Sequence, residues 1–113
     1  MKSAEIVLVK FPFSDLESSK KRPALVLNVT NVSSDIQLVT IAMITSRTEG
    51  IKLSGDFKVK KWDEAGLLYP SLIRLSKIAT VESSLIDKSL GKLNLVDIRS
   101  IKKIFKTYFR YWI

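Results

Sequence analysis

A small α+β domain, mainly β, is what this sequence predicts: a strongly bent antiparallel sheet or barrel covered by one carboxyl-terminal helix. Two observations lead there. Short β-branched runs recur at regular intervals, and apolar residues take up helical spacing only near the end of the 113 residues, which contain no cysteine. A chain of this length buries roughly 65% of its unfolded surface and needs no disulfide, so residues 1–113 are expected to form a single domain.

The run at 6–11 is β-branched, apolar but for Lys10, and too short for a helix, which predicts a buried strand ended by Pro12. The polar stretch 14–21 predicts an exposed loop. Residues 23–27 read as a second strand, with Pro23 at the first position, where a missing N–H is tolerated. After an Asn- and Ser-rich segment, 37–44 predict the longest and most central strand, closed by 45–50. Short extended pieces follow at 51–53 and 57–59, then an irregular segment at 62–70. Residues 71–75 and 78–81 make one strand or two abutting ones, and 85–93 read as a helical turn followed by a strand across Gly91. Asn94 is the N-cap of the last element, with Asp97 near the positive end of its dipole and Leu93 and Ile98 as a hydrophobic staple. Ile98, Ile101, Ile104, Phe105, Tyr108, Phe109 and Trp112 then share one helical face, and Arg99, Lys102, Lys103, Lys106 and Arg110 the other.

Nineteen Lys and Arg against 11 Asp and Glu leave a net charge of +8, which favours a polyanionic partner, nucleic acid before an acidic protein or membrane surface. The absence of histidine as well as cysteine excludes serine–histidine and cysteine–histidine catalysis and sulfur- or imidazole-bound metals. Asp63 and Glu64 are adjacent but have no third ligand in view, so solvation is their better reading and no metal or other cofactor is expected. The first apolar run is too short for a secretory signal or a membrane span, which predicts a soluble, cytoplasmic protein.

Lys20, Lys21 and Arg22 end the loop and abut the strand at Pro23. Proline biases the residue before it to extended geometry, so the backbone at Arg22 is comparatively fixed while the two lysines can move. A planar guanidinium with a defined exit direction suits a phosphate; the same cluster also reads as a solvated loop end that keeps a sheet edge soluble. Thr45 and Ser46 lie where the chain leaves a long apolar run, placed either to bind phosphate oxygens or to begin a turn. The basic helix face either follows a phosphate backbone, with Tyr108, Tyr111 and Trp112 near enough to stack on bases, or is only the wet side of an amphipathic helix. Spacing puts Tyr108 and Trp112 with the core.

Taken in order, Ile-Val-Leu-Val-Lys-Phe-Pro-Phe at 6–13, Lys-Arg-Pro-Ala-Leu-Val-Leu at 21–27, Met-Ile-Thr-Ser at 43–46, Pro-Ser-Leu-Ile-Arg-Leu-Ser-Lys-Ile at 70–78, Leu-Gly-Lys-Leu at 90–93 and the terminal helix resemble the PemK/MazF-like toxins of bacterial type II toxin–antitoxin pairs. Two features depart from that pattern: Ala4-Glu5 stand where the family usually has Gly-Asp, and the loop before Arg22 lacks glycine. The resemblance implies a compact SH3-like barrel decorated with helices and usually assembled as a homodimer. It implies a metal-independent endoribonuclease that cuts single-stranded RNA at short sequences and is silenced by a cognate antitoxin occupying the RNA groove. Carried onto this sequence, the family's catalytic arginine falls on Arg22, its catalytic hydroxyl on Thr45 with Ser46 beside it, and a loop acid on Glu17. Lys20, Lys21, Arg47 and Arg74 are the expected RNA contacts. The chemistry fits these residue types, because RNA carries its own nucleophile in the 2′-hydroxyl and needs only in-line positioning and stabilisation of charge on the phosphate. Two other readings stay open, a barrel that holds nucleic acid without cutting it and a gyrase poison of the CcdB type.

Overall fold

In the computed structural model, which describes residues 1–10 and 20–113, the apolar runs become strands. Phe11 and Pro12 at the first strand's expected end, and Glu17 in the loop, lie outside the described residues. β1 (Glu5–Lys10), β2 (Lys21–Asn31), β3 (Gln37–Thr45), β4 (Asp56–Lys58), β5 (Leu72–Glu82) and β6 (Ile86–Lys92) form one antiparallel sheet in the order β4-β5-β3-β2-β1-β6. β3 lies in the interior as expected but is not the longest, since β2 and β5 have 11 residues against its nine. β2 outruns its apolar stretch because Val29, Thr30 and Asn31 pair with Val39, Leu38 and Gln37. Residues 51–53 make no strand among the described residues; the Leu53 N–H donates to Asp56 Oδ2 at 2.9 Å instead.

The sheet bends where its register slips. Ala42 pairs with Ile78 and Met43 with Arg74, so Leu75, Ser76 and Lys77 bulge out of β5, and shorter slips interrupt β1 against β6 and β2 against β3. Such insertions kink a strand and increase its twist, which lets a sheet wrap around its own core. Among the described residues β4 and β6 are the edges and do not pair, so the sheet they form is coiled and open, not hydrogen-bonded into a closed barrel. Alternation along the strands sends Ile6, Leu25, Ala42, Ile44 and Ile73 into one cluster with Ile101 of the helix, and Val7, Val9, Ala24, Val26, Val39 and Ile41 into a second.

The helix α1 (Leu95–Tyr108) starts at Asn94, whose side chain accepts from the Val96 N–H at 2.9 Å. Asp97 is fully buried, and its two oxygens accept from the backbone N–H groups of Lys60 and Lys61 at 2.9 and 2.8 Å. Its carboxylate therefore ties the segment after β4 to the helix, a task that helical spacing does not disclose. The expected burial of Trp112 is not met. Regular α-helix stops at Tyr108 and a 3-10 turn, Arg110–Trp112, follows, so the helical period no longer applies and Trp112 is 89% exposed. Tyr108 does pack inward, against Gly55, where φ is +86° and a Cβ would come within 2.8 Å of its ring. No described helix is long and apolar enough to cross a membrane.

Candidate active site

The ladder between β2 and β3 runs through Val26–Ile41, Leu25–Ala42 and Ala24–Met43 and then stops; continued for two residues, that register brings Arg22 level with Thr45. Pro23, the residue between, has no N–H to donate to a neighbouring strand. On its other side β2 stays paired to β1, with Arg22 opposite Val9 and Lys21 opposite Lys10, so the backbone at Arg22 is held in the sheet. A cleft of about 620 Å³ opens here, within the usual size range of ligand sites. Leu8, Pro23, Ile44, Leu67 and Leu90 give it apolar lining; Lys20, Lys21, Arg22, Arg47 and Lys88 supply five cations. No carboxylate is among the described residues that line it. A concave site lined by one sign of charge over apolar walls concentrates counter-charged ligands.

Thr45 ends β3, and its Oγ1 accepts from the Arg47 N–H at 3.1 Å while the Thr48 N–H donates to the Ser46 carbonyl at 2.9 Å. The hydroxyl thus begins the turn and keeps its own proton for a ligand, so the two sequence readings of Thr45 are compatible. Lys21 Nζ stands 3.3 Å from Asp87 on β6, an exposed pair that directs the lysine without adding much stability.

Seven of the eight site residues read from the sequence fall in the described part, and six of them line this cleft: Arg22, Thr45, Ser46, Lys20, Lys21 and Arg47. Arg74 does not line it. On β5 it lies between Met43 and Asp56; its Nε is 3.4 Å from Asp56 Oδ1 and its Nη2 donates to the Ile51 carbonyl at 2.6 Å. Its side chain is 15% exposed and that of Asp56 9%, so this guanidinium anchors the segment before β4.

Leu68, Tyr69 and Lys88 line the cleft without having been singled out by the sequence reading. Leu68 and Tyr69 are exposed, and the Tyr69 carbonyl accepts from the Ser71 hydroxyl at 2.8 Å. Their wall is locked by two glycines lying backbone to backbone. At Gly66, where φ is +86°, a Cβ would run into the Leu90 carbonyl, and one at Gly91 would meet the Ala65 carbonyl. The available signal was an apolar-aromatic pair between Gly66 and Pro70 in a segment otherwise read only as irregular.

A comparison with curated proteins finds no match. Among solved structures, the Mycobacterium tuberculosis toxin MazF-mt6 is similar with a TM-score of 0.68 and 20% identity, over 94% of this chain and 96% of that one. An endoribonuclease in complex with its cognate antitoxin, from a mycobacterial species, is similar with a TM-score of 0.65 and 13% identity, over 95% of this chain and 92% of that one. At these identities the likeness establishes the fold. The family model of PemK-like, MazF-like toxins of type II toxin-antitoxin systems matches residues 2–109, nearly the whole length, and the chain belongs to that family.

Proposed function

We propose that the chain is a sequence-specific, metal-independent endoribonuclease that cuts single-stranded RNA, works as a homodimer in the cytoplasm and is neutralised by a cognate antitoxin. The observation that carries this is the junction of β2 and β3, where Arg22 and Thr45 line one cleft whose described lining has five cations and no acid. Family membership and the similarity to an endoribonuclease bound to its antitoxin support it.

The 2′-oxygen of the RNA attacks the adjacent phosphorus, the bond to the 5′-oxygen breaks as that oxygen takes a proton from water, and a 2′,3′-cyclic phosphate and a 5′-hydroxyl end result. Arg22 donates two parallel hydrogen bonds to the non-bridging oxygens as their charge grows. Thr45 donates its hydroxyl proton to the same phosphate, held in aim by the Arg47 N–H it accepts. Ser46 stands beside it, and Lys20, Lys21, Arg47 and Lys88 bind flanking phosphates, which sets register without reading sequence. Arg74 has no part in this scheme, being engaged by Asp56 and Ile51. Glu17, five positions before Arg22, is the acid assigned here to take the 2′-hydroxyl proton.

Incubation of the purified protein with a long RNA in EDTA tests the proposal. Cleavage at a recurring short sequence, with cyclic phosphate ends and with the matching DNA left whole, is expected. Intact RNA, or cleavage that requires added metal, overturns it.

A further inference from the structure

No side chain of α1 or of the turn after it lines the cleft. Yet Arg99, Lys102, Lys103, Lys106 and Arg110 are all exposed, and from residue 98 to residue 113 the sequence contains no acid. Arg99 to Lys106 spans about 10 Å of helix at 1.5 Å per residue. Beyond that stripe, Tyr111 and Trp112 are 83% and 89% exposed, and the Arg110 guanidinium lies 4.6 Å from the centroid of the Tyr111 ring. Arg110 also donates to the Tyr111 hydroxyl at 3.3 Å. Aromatic side chains are ordinarily where a protein gains most from burial, and here two of them stand in water at the end of a cationic stripe. Single-stranded nucleic acid matches both features, with phosphates tracking the charges and bases stacking on open ring faces. An acidic peptide matches the charges but brings no row of flat bases to stack on the rings.

We infer that this face of α1, with Tyr111 and Trp112, is a second RNA-binding site, separate from the cleft, that anchors single-stranded RNA of any sequence. It rests on the proposed function, since RNA is the polymer the two sites would share. A long RNA held at the helix delivers its other segments to the cleft at raised effective concentration, whereas a short oligonucleotide gains nothing.

The test uses the full chain with the double variant Tyr111→Ala/Trp112→Ala and the triple variant Lys102→Gln/Lys103→Gln/Lys106→Gln. Binding is read by fluorescence anisotropy on a labelled 2′-O-methyl RNA of about 30 nucleotides, longer than one binding-site length and lacking the attacking hydroxyl. The double variant is expected to bind about 5- to 150-fold more weakly for each stacked base lost. The triple variant should flatten the slope of log affinity against log salt by about 2, at about 0.7 per lost phosphate contact. Both should cut a substrate of about 6 nucleotides at the wild-type rate, because so short a strand is no longer than a single binding-site length. Affinity lost in both variants supports the anchor even if wild type cuts no RNA, the result that would refute the proposed function on its own. Unchanged affinity and slope in both overturns the anchor even if RNA is cut. Variants that bind RNA normally but lose a synthetic Glu-rich peptide assign the face to a protein partner and overturn it too.

Discussion

Two arginines flank the carboxyl end of β3. Arg74, on β5, lies between Met43 and Asp56, holds its Nε 3.4 Å from a carboxylate oxygen, donates from Nη2 to the Ile51 carbonyl, and is mostly shielded from water. Arg22, on β2, is exposed and shares with Thr45 the lining of a cleft that has no carboxylate among its described lining residues. The residue type is the same and the two positions are separated by one strand. What differs is whether a described residue places an acid beside the guanidinium. A guanidinium that meets a carboxylate becomes part of the scaffold, and one set in an acid-free concavity is available to a phosphate.

Each arginine can be made to fail in its own way. Arg22→Ala should lower RNA cleavage about 100- to 1,000-fold, the usual cost of one electrostatic donor, with an unchanged melting temperature. Arg74→Ala should do the converse. Denaturant unfolding is expected to show a loss of about 3 kcal/mol, since Asp56 is left buried and unpaired, while cleavage per folded molecule is retained. Asp97→Ala, which removes the acceptor for the Lys60 and Lys61 N–H groups, should cost about 2 kcal/mol by the same measurement. The smallest effect belongs to the cleft rim. Lys88→Gln should leave stability unchanged and flatten the salt dependence of RNA binding by about 0.7, the share of one phosphate contact.

The sequence made the strands visible where β-branched residues were dense, as in Ile-Val-Leu-Val at 6–9 and the run through β3, because burial on both sheet faces demands such runs. The N-cap at Asn94 was equally legible, being a local hydrogen bond within three residues. What depended on distant partners was not. The polar end of β2 is a strand only because β3 pairs with it, and Asp97 is buried because the segment after β4 reaches it. The same holds for the site. Arg22 and Thr45 were marked by local position at strand ends, whereas Arg74 looked equivalent until its cross-strand neighbour proved to be Asp56. Trp112 fell on the core face only while the helical period was extended past the residue where it stops.

Whether Arg22 and Thr45 serve one phosphate is measured most directly by a double-mutant cycle on RNA cleavage with Arg22→Ala, Thr45→Val and the pair together. If both groups stabilise the same developing charge, the double variant should fall within about tenfold of Arg22→Ala alone. Rate losses that multiply in full would show two groups acting independently and would contradict a shared site.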